Sequence, residues 1–336
     1  MGTSEHSENN ISSEHPLLEV KNVKQHFPLR KGLFKSPSYV KAVDGVSFNV
    51  YPEETLGLVG ESGCGKSTIG RTLLRLIEPT AGECYYCGKN IYNQTKGDFN
   101  KIRKDLQMVF QDPYSSLNPK MRIGKILEET LVINNICKKQ ERTDIVMNIL
   151  KKVGLTAEHY FRYPHEFSGG QRQRIGIARA LILSPKLIVC DEAVSALDVS
   201  IQAQVLNLMK EIKREFKLSY IFISHDLGVV RYISDRVGVM YLGKLVEIAP
   251  SEELFETPKH PYTQALISAL PATHPSSKKE RIKLEGEVPS PVSPPSGCHF
   301  HTRCPHANEY CRTVPPQLIR LKSGHYVSCH LYSHPI

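Results

Sequence analysis

The stretch "GESGCGKST", Gly60 to Thr68, decides how the chain is read. Gly60 and Gly65 enclose four residues and are followed at once by Lys66 and Ser67. Upstream, "TLGLV" has the composition of a buried strand, and downstream "STIGRTLLRLI" carries apolar residues at helical spacing. Strand, glycine-rich loop and helix in that order form a phosphate cradle, because the loop's N–H groups and the positive end of the helix face one anion. Ser62 and Gly63 lie in the turn of this loop and are expected to line the site. Lys66 is expected to reach the outer phosphates of a nucleotide, Ser67 to hold Mg²⁺, and Thr68 to meet the α-phosphate through its N–H and hydroxyl.

An acidic partner for this loop stands further along, in "LIVCDEA". Four apolar residues, Leu187 to Cys190, predict a buried strand that delivers Asp191 and Glu192 at its carboxyl end. Asp191 suits a Mg²⁺ contact and Glu192 a general base for attacking water. Around these motifs the chain alternates strands and helices, so a mostly parallel sheet is expected. The segments "KILEETLVINNI" and "RTDIVMNILKKVGL" predict an inserted helical subdomain.

Composition agrees with a folded α/β protein. Across 336 residues, 40% are hydrophobic and 23% charged, near the averages for packed globular chains. The net charge of +9 suits nucleic acid, anionic lipid, nucleotide phosphate or solubility alike. Likewise the basic stretch "RKGLFK", Arg30 to Lys35, reads as a hydrated loop or a headgroup contact. No apolar run reaches the roughly 20 residues of a membrane span, and the first residues lack the basic start and apolar core of an export signal. The expectation is a chain neither exported nor membrane-spanning.

At "EFSGGQRQRIGIARAL" the sequence resembles a family. Ser168, Gly169, Gly170 and Gln171 resemble the signature motif of the ATP-binding cassette (ABC) ATPases, and the rest of that family's set follows in order. Gln111 in "VFQDP" resembles the Q-loop, "SALD" up to Asp198 the D-loop, and His225 in "ISHD" the switch histidine. Phe27 sits where the family places an aromatic that stacks on adenine, although His26, Phe34 and Tyr39 lie close by and a core role suits Phe27 equally. "DEAVSALD" departs from many members, which carry Pro and Thr at the positions of Ala193 and Val194, yet each catalytic position is kept.

The resemblance implies a phosphate-loop NTPase-type nucleotide-binding domain with a mostly parallel core sheet, an antiparallel β subdomain and a helical subdomain. It also implies ATP and Mg²⁺ as ligands, with Gln111 linking metal and water to a docked partner and His225 contacting the γ-phosphate. Two such domains sandwich two ATP molecules, each site pairing one phosphate loop with the other chain's signature. This chain carries one set of motifs, so a second ABC ATPase subunit is expected, as a heterodimer, with a homodimer possible in isolation.

"LFETPKHPYTQALISALP" and "EGEVPSPVSPPSGCHFHTRCPHA" resemble the C-terminal extension of ATPases that serve oligopeptide and dipeptide importers, and "KAVDGVSF", "QDPYSSLNP" and "LDVSIQAQVL" fit the same branch. That likeness implies two transmembrane permease subunits, an extracellular peptide-binding protein acting indirectly, no nucleic acid, and a peripheral place on the cytoplasmic face of the membrane. Nickel and glutathione importers use near relatives and stay open as alternatives, as does a soluble ABC ATPase outside transport. A redox enzyme built on the cysteines lacks any recognisable substrate or cofactor site. The expected divisions are a tail at 1–16, the cassette at 17–270 with its helical subdomain near 112–170, a proline-rich linker at 271–297 and a small Cys-rich C-terminal extension at 298–336.

Of nine cysteines, Cys298, Cys304, Cys311 and Cys329 lie in that extension. Their spacing fits neither paired zinc knuckles nor a bacterial ferredoxin run, and a cytosolic setting disfavours disulfides. About 40 residues with few apolar anchors suggest a bound metal as a staple. The resemblance implies a 4Fe–4S cluster on the four thiolates, with Zn²⁺ the alternative that His299, His301, His306, His325 and His330 keep open.

Overall fold

A computed structural model describes residues 15–29, 38–112, 116–270, 281–322 and 324–333. Most of the expected tail, the basic stretch Arg30 to Lys35 and the first part of the linker lie outside the described residues.

The chain begins with the long strands β1 (Leu18–Leu29) and β2 (Ser38–Val50), then β3 (Thr55–Val59) and helix α1 (Lys66–Leu73). Next come β4 (Ala81–Tyr86), β5 (Lys89–Asn90), α2 (Lys96–Asp105) and β6 (Leu106–Val109). Helices α3 (Ile123–Ile133), α4 (Lys139–Lys152) and α5 (Gly169–Leu181) follow, then β7 (Leu187–Asp191), α6 (Val199–Phe216), β8 (Ser219–Ile223) and α7 (Leu227–Ile233). Strands β9 (Arg236–Tyr241) and β10 (Lys244–Pro250) lead to α8 (Ser251–Glu256) and α9 (Pro261–Ser268), and the C-terminal segment adds β11 (Ile319–Lys322) and β12 (His325–Val327).

Two sheets result. β2, β1, β4 and β5 form an antiparallel sheet, and a larger one runs β11-β12-β10-β9-β3-β8-β7-β6. From β9 to β6 every pairing is parallel, whereas β9, β10, β12 and β11 pair antiparallel. The larger sheet is therefore mixed: its core from β9 to β6 is parallel, and β10, β12 and β11 extend one edge antiparallel.

Alternation within the strands splits the core into two layers. Leu187 and Val189 pack with Leu56, Leu58, Ile69 and the antiparallel sheet, whereas Ile188 and Cys190 pack with residues of α3, α4, α5 and α6. Burial on both faces explains why "TLGLV", "LIVCD" and "SYIFI" are buried at each position. The carboxyl ends of β3, β7 and β8 consequently emerge side by side between the two layers.

The C-terminal segment is built into the cassette. β12 pairs with β10 through Glu247 opposite Val327, and Pro291 accepts a hydrogen bond from the Lys41 N–H at 3.0 Å. Phe300 is 1% exposed, its ring 5.2 Å from that of Tyr241, 5.4 Å from Tyr262 and 5.5 Å from His260. His325 fixes β12 from inside: its Nε2 lies 2.8 Å from Glu247 and its Nδ1 2.8 Å from Glu253. Burial alone would lower the His325 pKa, but the carboxylates of Glu247 and Glu253 outweigh it and raise the pKa above the usual imidazole value.

A raised folded pKa means that the contribution is full below the unfolded value near 6.5 and is lost as pH rises through the folded value. Corrected amide exchange of His325–Val327 should accelerate as pH climbs above neutral, and His325→Gln should remove that dependence. His325→Ala, which leaves the buried Glu247 carboxylate with the Lys259 and His260 N–H groups but no positive partner, should cost about 3 kcal/mol in denaturant unfolding.

Candidate nucleotide-binding site

The phosphate loop takes its shape from backbone that other residues rarely adopt. Gly65, the N-cap of α1, has φ 103°, and a Cβ there would lie 2.0 Å from the Ala42 carbonyl oxygen. A Cβ on Gly60 would lie 2.2 Å from the Met240 carbonyl oxygen. Both glycines are thus required by close approach of the chain to β2 and β9. Cys64 packs beneath as a buried thiol. Ser62 and Gly63 are exposed at the mouth of the loop, with Thr68 half-buried on the first turn of α1.

Inside the loop lies Lys66, 5% exposed. Its Nζ donates to the carbonyl oxygens of Gly60 at 2.8 Å and Glu61 at 3.0 Å. Ser67 Oγ donates to Asp191 Oδ1 at 2.6 Å, tying α1 to the end of β7. Arg71 completes this contact from the other side, its Nη2 3.4 Å from Asp191 Oδ2. Arg71 escaped the sequence reading, although its position four residues after Ser67 puts both on one helix face.

Beyond Asp191 the chain turns sharply, and Glu192 sits in the left-handed region with φ 49°. The turn is held by the Glu192 N–H donating to the Ile223 carbonyl at 2.9 Å and by Ser195 Oγ donating to the Glu192 carbonyl at 3.0 Å. It aims the Glu192 carboxylate across the strand ends. There Gln111 Nε2 donates to Oε2 at 2.8 Å and His225 Nδ1 lies 3.3 Å from Oε1. Residues from the ends of β6, β7 and β8 thus meet on one carboxylate, a short way from the loop that carries Lys66.

Signature and D-loop residues occupy another surface. Ser168 caps α5, accepting from the Gln171 N–H at 3.3 Å while Gln171 Oε1 accepts from the Ser168 N–H at 3.0 Å. A Cβ on Gly170 would lie 2.3 Å from Ile201, so α5 and α6 touch there, whereas Ser168 and Gly169 are exposed. Asp198 caps α6 by accepting from the Ile201 N–H at 3.0 Å, and hydrogen bonds from that N–H and from Ser200 hold its carboxyl below the usual range. Gln111, Gly169 and Leu197 line one cavity of about 160 Å³. Phe27 is half-buried on β1, opposite Val40 of β2.

The C-terminal cysteines require a correction. Cys298, Cys304, Cys311 and Cys329 line one cavity of about 270 Å³, together with His301, His306 and His330. Yet among the described residues no group of three or more His, Cys, Asp or Glu side chains is arranged to hold a metal ion. All four are free thiols. Burial pushes Cys298 up to about 11 and Cys329 up to about 12, and raises Cys304 as well. Neither the expected 4Fe–4S cluster nor the alternative zinc site fits this arrangement. The staple inferred from the segment's small size is replaced by strand pairing with β10, the buried Phe300 ring and the His325 pairs.

Arg303 is the other residue missed in the sequence. It reaches from the segment between Phe300 and Cys304 to the phosphate loop, with Nη1 2.9 Å from Glu61 Oε2 and Nη2 3.2 Å from Glu61 Oε1. No periodicity or motif marks it.

Comparison with known proteins agrees with this geometry. The family model of ABC transporters matches residues 43–195, and that of the oligopeptide/dipeptide transporter C-terminal region matches residues 246–311. The chain is 55% identical to the oligopeptide transport ATP-binding protein AppF of Bacillus subtilis, over 96% of this chain and 99% of that one. It is 53% identical to the dipeptide transport ATP-binding protein DppF of Haemophilus influenzae, over 96% and 98% of the two chains. Among solved structures, a dimeric ATP-binding cassette in a post-hydrolysis state with ADP and phosphate superimposes with a TM-score of 0.61 at 27% identity, covering 70% of this chain and 98% of that one. With its phosphate loop, acidic strand end and C-terminal region all matched, the chain belongs to the oligopeptide and dipeptide transport branch of the ABC ATP-binding proteins.

Proposed function

We propose that this chain binds and hydrolyses ATP to energise the import of dipeptides or oligopeptides. The observation that carries the reading is the convergence of Lys66, Ser67, Asp191, Glu192, Gln111 and His225 at the ends of parallel strands, in a chain whose relatives are named as peptide transport ATP-binding proteins.

Each residue has a role that its surroundings support. The loop from Gly60 to Gly65 cradles the phosphates with backbone N–H groups, and Thr68 extends that cradle onto α1. Lys66 is a buried ammonium on carbonyl oxygens, so an arriving phosphate gives it the anionic partner it lacks among the described residues. Ser67, Asp191 and Gln111 would hold Mg²⁺, which neutralises charge on the phosphates when bound. Glu192 accepts the proton of the attacking water, and Gln111 and His225 fix its carboxylate in the open strand-end groove. His225 is also the group through which loss of the terminal phosphate is sensed, and Phe27 stacks on the base.

Ser168, Gly169, Gly170 and Gln171 close on the nucleotide of a second ABC ATPase subunit, with Asp198 and its neighbours at the seam; the exposed faces of Ser168, Gly169 and Val199 support this. Two transmembrane permease subunits and an extracellular peptide-binding protein complete the assembly. Among the described residues no helix is long and apolar enough to cross a membrane, which fits a peripheral subunit on the cytoplasmic face.

Glu192→Gln should lower steady-state ATP hydrolysis by about 10²- to 10⁴-fold while leaving fluorescent ATP-analogue binding intact; parental turnover in that variant refutes the assigned base. In proteoliposomes containing the permease pair, partner ATPase and binding protein, dipeptides or oligopeptides should stimulate hydrolysis. Stimulation by nickel or glutathione alone overturns the substrate class.

A further inference from the structure

We infer that Arg303 is a positioning residue of the ATP site, holding the Glu61 carboxylate off the nucleotide's phosphates and so making tight ATP binding depend on docking of the C-terminal segment. This inference rests on the reading of Gly60 to Thr68 as the phosphate cradle.

Glu61 is an awkward residue for its place. It is the first residue after Gly60, its carbonyl accepts the Lys66 ammonium at 3.0 Å, and its N–H donates to the Tyr262 hydroxyl at 2.9 Å. The side chain of a residue whose backbone carbonyl holds the Lys66 ammonium would, as a free carboxylate, add negative charge at the phosphate loop and disfavour the incoming trianion or tetraanion. In this fold it does neither, because Arg303 grips both its oxygens, at 2.9 Å and 3.2 Å. A forked guanidinium fixes the direction as well as the charge of a carboxylate, which a lysine at this place would not.

The grip is itself held firmly. The Arg303 side chain is 8% exposed and also reaches the Tyr241 hydroxyl at 3.5 Å. Its position follows from the short 3₁₀ turn His301–Arg303, anchored by Phe300 among Tyr241, Tyr262 and His260. Tyr262 therefore serves both ends: its ring meets Phe300 and its hydroxyl accepts from the loop. If the segment undocks, the guanidinium and the Phe300 ring leave together, and Glu61 regains an unpaired charge on the phosphate loop.

Titration of the full-length protein with a fluorescent ATP analogue tests this, with Arg303→Gln, Arg303→Lys and the Arg303→Gln/Glu61→Gln pair. Arg303→Gln should weaken binding about tenfold, as expected for one uncompensated charge beside the phosphates at intermediate dielectric. Arg303→Lys should recover part of this, and adding Glu61→Gln should restore affinity most fully, because the offending charge is gone. The penalty should lie in the KM for ATP rather than in kcat. Parental affinity in Arg303→Gln overturns the inference, and so does a double variant as weak as the single one, which would mark Arg303 as merely structural. If the parent protein binds no nucleotide, or Lys66→Ala binds as tightly as the parent, it is the cradle assignment that fails instead.

Discussion

A buried ammonium without an opposite charge is the constraint around which the nucleotide site is arranged. Lys66 is satisfied by the carbonyl oxygens of Gly60 and Glu61, and among the described residues it has no carboxylate partner. Such a cation is costly to bury, and carbonyl dipoles compensate it only in part. The acids nearby are accordingly engaged elsewhere: Asp191 by Ser67 and Arg71, Glu192 by Gln111 and His225, Glu61 by Arg303. Negative charge is kept off Lys66 by specific pairings, which leaves the position open to an anion from solution.

The sheet makes this possible because parallel strands end together. Strands β3, β8 and β7 pair in register, Leu58 opposite Ile223 and Ile223 opposite Asp191, so Val59 with Gly60 behind it, Ser224 and Glu192 follow at one edge of the core. These strands are apolar on both faces, and a shift of one residue would exchange the side chains that meet the two core layers. Site geometry therefore depends on the packing of Leu56, Leu58, Val189 and Ile221 within one core layer.

Local features of the sequence made the phosphate loop, the acidic strand end and the helical insertion legible, since each follows from short-range spacing. "GESGCGKST" between a strand and a helix admits few readings, and "LIVCDEA" gives its strand end through four apolar residues. What stayed hidden was set by distant contacts. Arg303 meets Glu61 only because β12 docks on β10 and Phe300 enters a pocket of three rings. The cysteines misled for the same reason: considered as an isolated segment of about 40 residues, they called for a staple, whereas the folded segment borrows its stability from Tyr241, Tyr262, Glu247 and Glu253.

The central place of β3 also sets the order in which the molecule is made. Its two neighbours in the sheet, β8 and β9, are encoded far downstream, with Leu56 pairing to Ile221 on one side and Arg236 on the other. During synthesis "TLGLV" leaves the ribosome well before either neighbour exists, so the phosphate loop and the helix behind it have no sheet to stand on until most of the chain has emerged. Non-local parallel pairing of this kind folds slowly and leaves an apolar strand uncovered in the meantime. Assembly of the ATP site is thus a late event in the life of the nascent chain, complete only after the strand that begins at Arg236 has been made.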